Sequence, residues 1–155
     1  MPEPRVFNGV DSVKAAVGEH LGYSDWLEIT QERVNTFAEA TGDYQWIHID
    51  VERAKDGPFG GTIAHGYLTL SLVPMLNWEL WTYTGIAMGV NYGSDKVRFL
   101  TPVRVGSRVR ARVTVLAADL RPDGAYLVKN QVTVEIEGAD KPALVAETLS
   151  LAVPA

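Results

Sequence analysis

Ala64-His65-Gly66-Tyr67-Leu68-Thr69-Leu70-Ser71-Leu72-Val73-Pro74-Met75-Leu76-Asn77-Trp78-Glu79-Leu80-Trp81 is the stretch that decides the architecture. Its residues are apolar on nearly every side, and a helix of that kind is a buried one. Pro74 cannot donate to the helical ladder, so it should kink the helix or mark a break. His65, Gly66, Thr69, Ser71 and Pro74 leave the segment too short and too polar to span a bilayer. The chain therefore carries a central helix that other elements must cover.

Beyond residue 85 the apolar spacing changes to that of strands. Val109, Ala111, Val113 and Val115 alternate with Arg110, Arg112 and Thr114. After the turn residues Pro122-Asp123-Gly124, the residues Tyr126, Val128, Val132, Val134 and Ile136 alternate with Leu127, Lys129, Gln131, Thr133 and Glu135. Two such runs joined by a short turn predict an antiparallel hairpin. Gly138–Pro142 reads as a second turn and Leu144–Val153 as a final strand, with further strands around Met88–Tyr92 and Lys96–Leu100. The expected class is α+β, a curved antiparallel sheet around one buried helix, not a doubly wound α/β fold.

Before the central helix, Val10, Val13 and Val17 are spaced for one face of a short helix over residues 10–18. A clearer helix follows: Thr30 caps it, Val34, Phe37, Ala38 and Thr41 keep the helical spacing, and Gly42 ends it. Asp43 is thereby placed at a helix exit, at the head of the loop Gly42-Asp43-Tyr44-Gln45-Trp46-Ile47-His48-Ile49-Asp50. A segment around 51–55 leads to the turn-rich Asp56-Gly57-Pro58-Phe59-Gly60-Gly61.

Composition narrows the function. The 155 residues are expected to form one domain, 1–155, long enough for a real core. With no cysteine, disulfides, thiolate catalysis and Cys-based zinc sites are excluded. A net charge of −5 argues against a nucleic-acid binder. Lys96, Arg98, Arg104, Arg108, Arg110 and Arg112 form a basic run. It reads first as the solvated face of a strand pair, with the phosphates of a coenzyme A tail as the sharper alternative. Met1-Pro2-Glu3-Pro4-Arg5 lacks the apolar run of a leader, so a cytoplasmic protein without a membrane partner is expected.

Three polar features lie in apolar surroundings: Asp43, His48, and His65-Gly66 at the helix start. Each has an ordinary reading. Asp43 suits a turn, His48 a structural histidine, and His65 a helix cap. Together they suit the addition of water to a conjugated thioester. That reaction needs a group to take a proton from water, a group to deliver one to the α-carbon, and a donor for the growing negative charge on the thioester oxygen. A backbone N–H at a helix start is such a donor, and Gly66 lets a ligand approach it. His48, Asp50 and His65 lack a recognisable metal spacing, so no metal is expected. No serine elbow, P-loop or dinucleotide fingerprint is present.

At these residues the chain resembles the MaoC-like dehydratase family, which includes the (R)-specific enoyl-CoA hydratases. Gly42-Asp43, His48 and Ala64-His65-Gly66 match the family's two motifs, while Gln45-Trp46 replaces Asn-Pro. That variant, with Gly89-Val90-Asn91-Tyr92-Gly93-Ser94-Asp95-Lys96-Val97-Arg98-Phe99, is similar to the nodulation-protein-N-like branch. The resemblance implies a hot-dog fold, in which an antiparallel sheet wraps a long central helix. It also implies a homodimer joined edge to edge, and an acyl-CoA or acyl-carrier-protein thioester as substrate. Carried over, Asp43 and His48 are the catalytic pair, Gly66 is the oxyanion donor, and Gln45 supports the loop or the water. His65, Tyr67 and Asn91 join them as substrate-binding candidates, and Trp78, Trp81 and Tyr92 suit an acyl tunnel or a core. Where some members use a helical serine, this chain has Pro74. Coenzyme A would be part of the substrate, so no separate cofactor is expected. A hot-dog thioesterase and a non-catalytic thioester-binding module are the competing readings.

Overall fold

The computed structural model describes residues 3–155; Met1 and Pro2, part of the segment read as lacking a leader, lie outside them. In chain order the elements are β1 (Arg5–Asn8), α1 (Val10–Ala15), β2 (His20–Tyr23), β3 (Leu27–Glu28), α2 (Gln31–Thr41), α3 (Trp46–Ile49) and α4 (Val51–Lys55). Then come α5 (Gly66–Ser71), α6 (Val73–Asn77), β4 (Trp81–Thr84), β5 (Ile86–Phe99), β6 (Arg108–Leu120), β7 (Tyr126–Ile136) and β8 (Leu144–Pro154).

Alternation builds the sheet. Val109, Ala111, Val113 and Val115 are all at most 2% exposed on β6, and β7 pairs with β6 antiparallel through the Pro122-Asp123-Gly124 turn. The strand order is β2-β6-β7-β8-β5, with β3 also on β6; β1 and β4 form a separate parallel pair. α5 packs against β8 and α6 against β6. Leu68, Leu72, Val73 and Leu76 meet the inner valines in one core. Each fully buried aliphatic side chain in such a layer contributes about 1.5–3 kcal/mol.

The central helix is broken into α5 and α6 at Leu72, the break that Pro74 was expected to mark, since it has no N–H to offer Leu70. It departs from the expectation in not being buried all round, because Tyr67 and Trp78 stand 70% and 69% exposed. Periodicity marked these residues as apolar but not which surface would cover them. The two strands expected around Met88–Tyr92 and Lys96–Leu100 are one strand of 14 residues, β5. Register irregularities between Asn91 and Gly93 and between Asp95 and Arg98 made it read as two. On α1, Val13 is buried but Val17 is not; Ala16 takes the inner position.

Arg108, Arg110 and Arg112 of the basic run lie on β6, with Lys96 and Arg98 on β5. Arg108 pairs with Glu137, while Arg110 and Arg112 share Glu135. The Arg110 guanidinium also lies 4.4 Å from the ring centres of Tyr23 and Trp26. Arg104 instead donates to the Gly60 carbonyl at 2.9 Å, which ties down the turn-rich segment.

Candidate active site

α2 begins and ends as its residues dictate. The Thr30 side chain accepts from the Arg33 N–H at 3.1 Å, and Gly42 closes the helix at φ 80°, where a side chain would be strained. The backbone emerges at Asp43, whose carboxylate is exposed. The following stretch, read as a loop, contains the one-turn helix α3, and His48 sits in it 6% exposed.

His48 is anchored through its Nδ1, which donates to the Ile63 carbonyl at 2.7 Å. That bond assigns the proton of the neutral ring to Nδ1 and leaves Nε2 bare as an acceptor. Gln31 braces the same turn: its Nε2 donates to the His48 carbonyl at 2.7 Å, and its Oε1 accepts from Thr62 Oγ at 2.6 Å. Gln31, Thr62 and Ile63 were not marked as site residues in the sequence. Each acts through a backbone or amide contact between distant segments, which leaves no local pattern.

His65 ends up beside the pair rather than capping its helix, since its side chain makes no cap hydrogen bond. Its Nε2 donates to the Asp43 backbone carbonyl at 3.0 Å, and its ring stacks on that of His48 with centroids 3.8 Å apart. Phe37 closes the other side at 4.9 Å. Gly66 follows as the first residue of α5, where an N–H has no acceptor within the helix. A Cβ at Gly66 would lie 3.0 Å from the Phe99 ring, so the position is tight as well as accessible.

Asp43, His48 and His65 each offer a side-chain donor atom within 4.8 Å of the others. The trio contains Asp43, not Asp50, whose Oδ1 caps α4 by accepting from Arg53 N–H at 3.1 Å. The spacing resembles a metal site, but the imidazoles are inclined by only 24° to one another. Stacked rings point their lone pairs side by side, whereas ligands of one ion must converge on it. The separation suits a water held between Asp43 and His48.

The remaining candidates lie apart. Gln45 is exposed just ahead of α3, its backbone N–H making a long 3.4 Å contact to Asp43 Oδ1. Tyr67 is exposed and meets Phe99 edge-on at 5.8 Å. Asn91, Trp78, Trp81 and Tyr92 line a separate cavity between α6 and the inner sheet.

Burial holds the His48 pKa below its ordinary 6.5, aided by the nearby His65 and opposed by the Ile63 hydrogen bond and by Asp43. The unfolded chain takes up this proton near 6.5, whereas the fold resists it to lower pH. Below 6.5 the unfolded state therefore binds more protons. The His48 contribution to stability is complete above 6.5 and is lost as pH falls towards the lowered pKa. Denaturant unfolding from neutral pH to about pH 5 should show this decline, and a His48→Asn variant should show less of it. Equal slopes in the two proteins would remove His48 as its source.

Comparison with known proteins shows the family. The model of the MaoC like domain matches residues 12–136. The chain is 52% identical to 3-hydroxyacyl-thioester dehydratase Z of Mycobacterium tuberculosis, over 94% of this chain and 96% of that protein. It is 45% identical to nodulation protein N of Rhizobium meliloti, over 92% and 90% respectively. Among solved structures, the (R)-hydratase from A. caviae involved in PHA biosynthesis superposes with a TM-score of 0.70 at 26% identity, covering 89% of this chain and 96% of that one.

Proposed function

Because the chain belongs to the MaoC-like dehydratase family and is a hydro-lyase of the hot-dog fold, we propose that Asp43, His48 and Gly66 interconvert a trans-2-enoyl thioester and its (R)-3-hydroxyacyl hydrate. The observation that carries this assignment is the approach of an Asp43 carboxylate oxygen and a His48 ring nitrogen to within 4.8 Å, a reach that one bridging water can span. Gly66 follows His65 of the same cluster in the chain and opens α5, where its N–H has no acceptor within the helix.

In the hydration direction the water lies between the two side chains. His48 accepts a hydrogen bond at the bare Nε2 from the O–H that the water keeps, and Asp43 takes the other proton as the water oxygen bonds to the β-carbon. The double-bond electrons move towards the thioester oxygen, which accepts from the Gly66 N–H. One proton leaves the water and one reaches the α-carbon, so the pair returns to its starting ionisation. Dehydration of the hydroxyacyl thioester is the same path reversed. No cofactor enters any step, and the carrier is coenzyme A or an acyl carrier protein.

The functional unit in this reading is a homodimer. β5 is an edge strand exposed along nearly its whole length, with Met88 at 55%, Val90 at 39% and Tyr92 at 56% exposure. Tyr67 and Trp78 continue the apolar surface. A long bare edge of this kind is an adhesive surface, and a second β5 paired against it would satisfy both. Sedimentation as a monomer at micromolar concentration would count against it. No helix of the described residues is long and apolar enough to cross a membrane.

Crotonyl-CoA tests the reaction. Formation of (R)-3-hydroxybutyryl-CoA is expected; release of free CoA without it would mean a thioesterase, and no turnover at all a binding module.

A further inference from the structure

The inner face of β7 reads Tyr126, Val128, Asn130, Val132, Val134 and Ile136, all of them buried. Asn130 is the polar interruption of an otherwise apolar row. Thr148 of β8 lies beside it in register, and Ser94 of β5 lies beside Thr148. Ser150 and Asn91 make the next cross-strand pair. The sheet thus carries a polar band through the middle of its core face.

This band borders a cavity of about 670 Å³, within the range of small-molecule sites. Leu70, Val73, Pro74, Asn77 and Trp78 form the opposite wall, and no charged side chain lines it. Asn77 and Asn130 are 8% and 6% exposed, and the Oδ1 of each is buried without a hydrogen-bond partner. An orphaned amide in a core is costly, and a side-chain amide can turn to offer either its oxygen or its N–H₂. Two such groups on facing walls of one cavity call for a neutral occupant, largely apolar, with a polar atom between them. Gly66 opens the helix pair whose later turns, from Leu70 onward, make one wall of this cavity.

Resting on the enoyl-thioester reading, we infer that this cavity receives the acyl tail and selects one bearing a hydroxyl group, which can donate to one asparagine and accept from the other. The substrate class is then hydroxylated acyl thioesters rather than plain alkyl ones.

Isothermal titration of the full-length protein with saturated octanoyl-CoA and hydroxyoctanoyl-CoAs, substituted at successive tail carbons beyond the third so that the reaction's own 3-hydroxyacyl form is left out, reads binding apart from turnover. One hydroxylated isomer should bind about tenfold more tightly than octanoyl-CoA. Asn130→Val, which completes the valine row, and Asn77→Leu should each erase that preference. The inference is overturned if no isomer beats octanoyl-CoA, if the preference survives both substitutions, or if they weaken coenzyme A itself equally, which would place the asparagines on the pantetheine arm. Should neither variant fold, the wild-type comparison alone decides. Crotonyl-CoA hydration, run in parallel, separates the two claims. Turnover without tail preference defeats the tail assignment only; tail preference without turnover defeats the proposed reaction only.

Discussion

Asp43→Asn is expected to lower crotonyl-CoA hydration roughly a hundred- to ten-thousand-fold, the range associated with loss of a positioned acid–base group. The substitution keeps the shape of the side chain and removes its ability to hold a proton. Little structure depends on the carboxylate, which is exposed and makes only the long contact to the Gln45 N–H. The contact that does organise the site, from His65 Nε2, goes to the Asp43 backbone carbonyl and survives the change. Stability should therefore move by less than about 0.5 kcal/mol, as for an ordinary surface substitution. A variant that melts with the wild type and turns over at the same rate would end the assignment of Asp43.

His48→Ala should lose activity on the same scale but for mixed reasons. It removes Nε2 from the water, and it also leaves the Ile63 carbonyl without its buried donor. An abandoned buried acceptor costs about 1–3 kcal/mol, and the stacking surface for His65 goes with it. His48→Asn separates the two effects. Its amide N–H₂ can occupy the position of Nδ1 and keep the bond to Ile63, while nothing replaces Nε2. The asparagine variant should be more stable than the alanine variant and equally slow. Substantial activity in His48→Asn would show that anchoring the loop, not contacting the water, is the work of the histidine.

The lowered proton affinity of His48 fits this division of labour. A neutral imidazole with a bare Nε2 accepts a hydrogen bond from water and leaves the carboxylate as the site of net proton transfer. Because burial is the main cause of the shift in His48, a substitution that removes the His65 ring stacked on it should move its pKa back towards 6.5.

Much of the architecture was legible in the chain itself. The alternating residues of β6 and β7 are buried as their period requires. Thr30 and Gly42 delimit α2, and Asp43 emerges where that helix ends. Pro74 announced the break between α5 and α6. These features follow from short-range rules, namely which side of an element is apolar, which residue can cap it and which cannot donate, so a single sequence carries them.

The Asp43–His48–Gly66 group was also visible, as residue types in two motifs, but its working geometry was not. The tautomer of His48 depends on a carbonyl fifteen residues away, and the bond from Gln31 to His48 spans seventeen. His65 looked like a helix cap and instead stacks on His48, because the packing of α5 against the sheet puts its ring there. Asn130 shows the same limit from the other side. It falls on the inner, apolar face of β7, yet only the tertiary structure set Asn77 and a cavity opposite it. The sequence alone determined which surfaces must be hidden and where the chain must turn. Which polar groups meet across those surfaces was decided by packing, since a hydrogen bond between distant segments imposes no period on either one.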